Sequence, residues 1–105
     1  MAITNEQLKS LGFQQSSINE PPTLVLFEDG VIYARFWKQG DKLYCVAADQ
    51  PKEKEFILLE YLSLKGLDLY ITRTAQRLRS WKTNNEHIEK LLDGNHTVSG
   101  KRSIK

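Results

Sequence analysis

The sequence predicts an α+β domain: a short N-terminal helix, a three-stranded antiparallel meander, a buried helix with a candidate fourth strand after it, and a basic amphipathic C-terminal helix. Three observations predict it. Asp29-Gly30 and Gln39-Gly40 separate apolar and β-branched runs at 24–27, 31–38 and 43–47, the pattern of strands joined by tight turns. Residues 56–64 are densely apolar, with Phe56, Ile57, Leu58, Leu59, Tyr61, Leu62 and Leu64. Between 74 and 92, Leu78, Trp81, Ile88 and Leu92 recur at helical spacing.

The first helix begins at Thr4, an N-cap residue with Gln7 three positions on, as in a capping box. Leu8 and Leu11 give it an apolar edge and Gly12 ends it. Residues 14–22 are polar, close on Pro21-Pro22 and read as a linker into the first strand.

Two-residue turns at Asp29-Gly30 and Gln39-Gly40 set a register. Phe27 then faces Ile32, Val25 faces Ala34, Phe36 faces Leu43 and Trp37 faces Lys42. Side chains alternate along strands, so Val25, Phe27, Ile32, Ala34, Phe36, Leu43, Cys45 and Ala47 form the expected core face. The opposite face collects Leu24, Leu26, Tyr33, Arg35, Trp37, Lys42, Tyr44 and Val46. It is too apolar for a plain solvated surface, and too cationic for an interior.

Pro51, with Glu53 and Glu55 after it, opens the expected helix over 52–65. The alternation of Leu62, Leu64, Leu67, Leu69 and Ile71 about Lys65-Gly66 supports a second hairpin instead, and 67–72 is read as a strand in either case. The last helix runs over 74–92, or as two helices if Thr83 and Glu86 form a second capping box. Residues 1–95 make one domain, and 96–105 read as a mobile basic tail.

The 105-residue chain has a net charge of +2, unevenly spread. Residues 1–50 carry four bases against six acids, and 51–105 carry eleven against seven. Arg73, Arg77, Arg79 and Lys82 form a stripe with no acid among them. One cysteine leaves no internal disulfide and no Cys-rich metal site. His87 and His96 have no metal-binding spacing, and no phosphate loop, G-x-S-x-G, H-E-x-x-H or dinucleotide fingerprint is present. The expectation is therefore a protein without catalytic residues, cofactor or metal. No apolar run has the length of about 20 residues that spans a bilayer, and no signal peptide opens the chain, so a cytoplasmic protein without membrane contact is expected.

Two binding surfaces remain. Tyr33, Arg35, Trp37, Lys42 and Tyr44 offer stacking rings beside cations, the means by which single strands are held. The helix with Arg73, Arg77, Arg79 and Lys82 offers cations for a phosphate backbone. The leading expectation is nucleic-acid binding. The alternative is a protein-interaction module, such as an inhibitor, adaptor or immunity-type protein, because exposed Trp, Tyr and Arg dominate interface hot spots. A homodimer would also cover such a face. In its order of helix, three strands and helix the chain resembles double-stranded-RNA-binding domains, whose second helix starts with lysines where this sequence has Lys52-Glu53-Lys54-Glu55.

Overall fold

The structure is a computed structural model and describes residues 3–84 and 100–104. Helix α1 (Asn5–Ser10) is followed by strands β1 (Thr23–Glu28), β2 (Val31–Gln39), β3 (Lys42–Ala47) and β4 (Gln50–Leu58). A 3-10 turn over Leu59–Tyr61 leads to helix α2 (Leu64–Asn84), and strand β5 (Gly100–Ser103) completes the order. The sheet is mixed, in the order β4-β3-β2-β1-β5, with β5 parallel to β1.

The expected capping box closes α1: the Gln7 backbone N–H donates to Thr4 Oγ1 at 3.2 Å, and the Thr4 N–H to Gln7 Oε1 at 2.9 Å. After Gly12, Phe13 turns back and is buried with Leu8. Asp29 and Gly30 take φ of 51° and 78°, as a type I′ hairpin requires. The second turn moves on by one residue. Gln39 pairs with Lys42, so the turn is Gly40-Asp41 and only Gly40 has positive φ, the type II′ pattern. The expected pairing of Phe36 with Leu43 becomes Phe36 with Cys45, and Trp37 faces Tyr44 rather than Lys42. A slip of one residue in the turn shifts the pairing by two, so the faces of β3, and of β2 from Ala34 on, survive it; Ile32, expected on the core face, pairs with Phe27 on the other.

The faces of β1 do not. A bulge lies between the pairs Leu26↔Ala34 and Phe27↔Ile32, which leaves Tyr33 as the extra residue. Tyr33 consequently turns to the core side, and its carbonyl accepts a hydrogen bond from the Ala48 N–H at 2.8 Å. Leu24 and Leu26 join the core with Ala34, Phe36, Leu43, Cys45 and Ala47, while Val25 and Phe27 move to the face of Arg35 and Trp37.

The expected helix over 52–65 is corrected to β4, the 3-10 turn and the first residues of α2. By pairing, Lys54, Phe56 and Leu58 share one face and Glu55 and Ile57 the other, while the period of two in the sequence is the charge alternation of Lys52-Glu53-Lys54-Glu55, which gives way to an apolar run at Phe56. Pro51 is tolerated because β4 is an edge strand with a register shift beside it. The expected strand at 67–72 is helical. Ser63 caps α2 by accepting from the Gly66 N–H at 2.9 Å, and Leu67, Ile71, Thr74, Ala75 and Leu78 are buried along one side. Residues 100–103, part of the expected tail, are strand. Gly100 passes so close to the Gly12 carbonyl that only glycine fits, and Ile104 is buried beyond it. Helix, four strands, helix and strand depart from the order of a double-stranded-RNA-binding domain. The second half of the expected helix over 74–92, with its second capping box, lies outside the described residues, as do His87 and His96. Among the described residues no helix is long and apolar enough to cross a membrane.

Candidate nucleic-acid interface

Helix α2 covers one face of the sheet, where Tyr70 meets Phe36 edge to face at 5.8 Å. The other face carries an aromatic row. Trp37, Tyr44 and Phe56 are direct cross-strand neighbours on β2, β3 and β4, so three rings lie side by side across the strands. Trp37 and Tyr44 stack with centroids 5.6 Å apart, and Tyr44 and Phe56 follow at 5.9 Å. Phe56, on the edge strand, is 53% exposed.

Cations flank the row on both sides. Arg35, Val46 and Lys54 form the next rank toward one end of the strands, and Lys42 with Leu58 the rank toward the other. Lys42 Nζ lies 4.8 Å from the Phe56 centroid and Lys54 Nζ 4.8 Å from that of Tyr44. These cation–π contacts set the ammonium groups over the ring faces, so a base that stacks on Phe56 or Tyr44 moves its lysine aside, toward the phosphates. The arrangement can stack planar groups along the row and neutralise anions on either side of it.

Of the residues expected on this face, Arg35, Trp37, Lys42 and Tyr44 come together. Tyr33 does not: the bulge buries it at 2% exposure on the α2 side, with Lys82 Nζ 5.6 Å from its ring. Phe56 and Lys54 complete the row but were not expected there, because a helix was expected over them. The signal the sequence offers is the alternation of charge sign along Lys52-Glu53-Lys54-Glu55, a period of two.

The basic stripe of α2 lies on the far side of the sheet from the row, and half of it is engaged. Arg77 forms a forked pair with Asp49, Nε to Oδ2 at 2.8 Å and Nη2 to Oδ1 at 3.1 Å. Lys82 Nζ donates to the buried Glu28 at 3.0 Å, and this hydrogen bond raises the lysine pKa above its usual value. Arg73 and Arg79 are exposed. A ligand lying flat on the aromatic row therefore does not reach the stripe.

The lone thiol is a core group. Burial pushes Cys45 up to about 11, with the neighbouring Tyr70 hydroxyl acting in the opposite direction. Tyr70 is itself raised, first by burial and then by Cys45. Among the described residues no three His, Cys, Asp or Glu side chains converge on a common point.

Fold and face together define an α+β domain in which helices cover one side of a mixed five-stranded sheet and the other side carries an aromatic and cationic rank. No family model, curated protein or solved structure matches the chain.

Proposed function

We propose that this chain is a small non-catalytic, cytoplasmic binding protein that holds single-stranded nucleic acid across β2, β3 and β4. The observation that carries the reading is the cross-strand row of Trp37, Tyr44 and Phe56 with Arg35 and Lys54 on one side and Lys42 on the other. Bases stack on the rings and phosphates meet the three cations. A duplex, whose bases already stack on one another, gains less from such a row. Arg73 and Arg79 give the outer side of α2 a positive surface, which plays a secondary part.

The test is fluorescence anisotropy of labelled single-stranded and duplex oligonucleotides at about 50 and 200 mM salt. Three phosphate contacts on a single strand give a log–log slope of about −2, so affinity should fall roughly twentyfold over that range. No binding at the lower salt overturns the reading. A second reading, a protein partner on the same face, is favoured by the half-exposed Phe56 ring at the sheet edge. It calls for binding that salt hardly affects.

A further inference from the structure

A cleft of about 450 Å³ opens where the loop of residues 15–22 passes the end of β2, and Trp37 forms part of its wall. That volume lies within the range of small-ligand sites. Trp37 is also the end ring of the aromatic row, so row and cleft are continuous. The cleft is lined by four carboxamides, those of Asn5, Gln15, Asn19 and Gln39. Ile18, 92% exposed, and Pro21 and Pro22 give it apolar surface besides Trp37.

The charges there do not favour the phosphate of a nucleotide. The Glu20 carboxylate lines the cleft and accepts from the Ser16 hydroxyl, while the cation nearby, Lys38 Nζ, is held by Asn5 Oδ1 at 3.1 Å. The Glu20 carboxylate offsets the Lys38 ammonium, so the cleft has no net charge to draw a phosphate, and a neutral planar group needs none. The carboxamides retain hydrogen-bonding capacity. Gln15 donates from Nε2 to the Glu20 carbonyl at 2.7 Å, which leaves its Oε1 as an acceptor. Asn19 and Gln39 have no side-chain hydrogen bond among the described residues. A carboxamide pairs its oxygen and N–H2 group with a neighbouring donor and acceptor, the pattern adenine presents at N6 and N7.

We propose that this cleft reads a nucleobase, adenine by its chemistry, at one end of a strand laid along Phe56, Tyr44 and Trp37. The proposal rests on the strand-binding reading above. The three rings take three bases and the cleft takes the fourth, with the backbone phosphates left on the cationic ranks.

The experiment is an NMR titration of the full chain with four tetranucleotides: dT4, dT4 with one adenine at its 5′ end, dT4 with one adenine at its 3′ end, and dT4 with adenine at an inner position. Signals of the Trp37 indole and of the Asn19 and Gln39 side-chain amides are followed. One end-adenine tetramer should bind about tenfold tighter than dT4, within the discrimination that one amide–adenine pair gives. The Asn19→Ala/Gln39→Ala variant, altered at two exposed side chains that have no side-chain hydrogen bond among the described residues, should bind all four alike and as tightly as dT4 binds the parent. Binding without an end preference, or a preference that survives in the variant, overturns the cleft proposal and leaves the stacking row standing. If no tetramer moves the Trp37 signal, the cleft proposal and the strand-binding reading both fall.

Discussion

Trp37 lies against Tyr44 across the β2–β3 ladder, with ring centroids 5.6 Å apart and planes inclined by 23°. This pair anchors the row, and Phe56 extends it to the sheet edge at 53% exposure. The exposed ring adds little to folding and much to a stacked ligand. Phe56→Ala should therefore weaken single-strand binding by about 1–3 kcal/mol while leaving the thermal midpoint nearly unchanged. Lys42→Gln with Lys54→Gln should flatten the log–log salt slope by about 1.4. Anisotropy titrations read both: a Phe56 variant that binds as the parent does shows that bases do not stack here, and an unchanged slope shows that phosphates do not meet these lysines.

The exposed arginines of α2 supply a contrasting pair of variants. Arg73→Ala with Arg79→Ala should change single-strand affinity by no more than about twofold, because the sheet separates them from the row and surface charges are screened beyond about 8 Å at physiological salt. A loss as large as that of the Lys42 and Lys54 variant would move the binding surface to α2. Arg77→Ala breaks the exposed fork to Asp49 and should cost about 1 kcal/mol of stability or less, read by urea unfolding.

What could be read in advance divides along physical lines. The Thr4 and Gln7 capping box and the Asp29-Gly30 turn are local, and each is fixed by residues three positions apart or fewer. The faces of β3, and of β2 from Ala34 on, were legible because alternation survives a two-residue shift in pairing. The bulge at Tyr33 was not, since its extra residue has no local signature and its carbonyl is bonded to Ala48, fifteen positions away. That single residue exchanged the faces of β1, bringing Leu24 and Leu26 to the core and removing Tyr33 from the site. Phe56 and Lys54 were lost from the candidate site because one apolar run spans the end of β4, a 3-10 turn and the start of α2. Strand β5 is four residues, Gly-Lys-Arg-Ser, and is defined only by its distant partner β1.

Cys45 sets the alkaline limit of the fold. Its pKa rises from 9.0 to about 11 on folding, so the folded state favours the protonated thiol. The stability this contributes is fully present below pH 9 and is lost as pH climbs from about 9 to 11. Tyr70 and Lys82 are also raised, and their contributions fade only above their ordinary values of 10.0 and 10.5. Thermal midpoints measured from pH 8 to 11 should fall from about pH 9 onward. In Cys45→Ala the fall should begin near pH 10 instead. An unchanged onset would mean that folding does not raise the thiol pKa, and rapid labelling of the native chain by a thiol reagent at pH 8 would contradict its burial.

Gly100 decides whether the fifth strand can dock. It pairs with Leu24 at the start of β5, and a Cβ built there falls on the Gly12 carbonyl oxygen, with the Thr23 carbonyl oxygen 3.2 Å away. Both neighbours are backbone and cannot rotate aside. Gly100→Ala must then push β5 off the β1 edge or displace the turn after α1, whose Phe13 packs in the core. Either response also disturbs Ile104, buried at 1% exposure, and the Arg102 to Asp68 ion pair at 2.9 Å. The expected loss is about 1–3 kcal/mol, the range for forcing atoms into a packed site. Hydrogen exchange locates it: the amides of Val25 and Phe27, which point to the β5 side as Thr23 points to Gln14, should lose protection while those of Leu24, Leu26, Phe36 and Cys45 keep theirs. The aromatic row lies on the opposite part of the sheet, so single-strand affinity should be retained at temperatures where the variant is folded. Protection along β1 that matches the parent would show that β5 does not pair with this edge in solution.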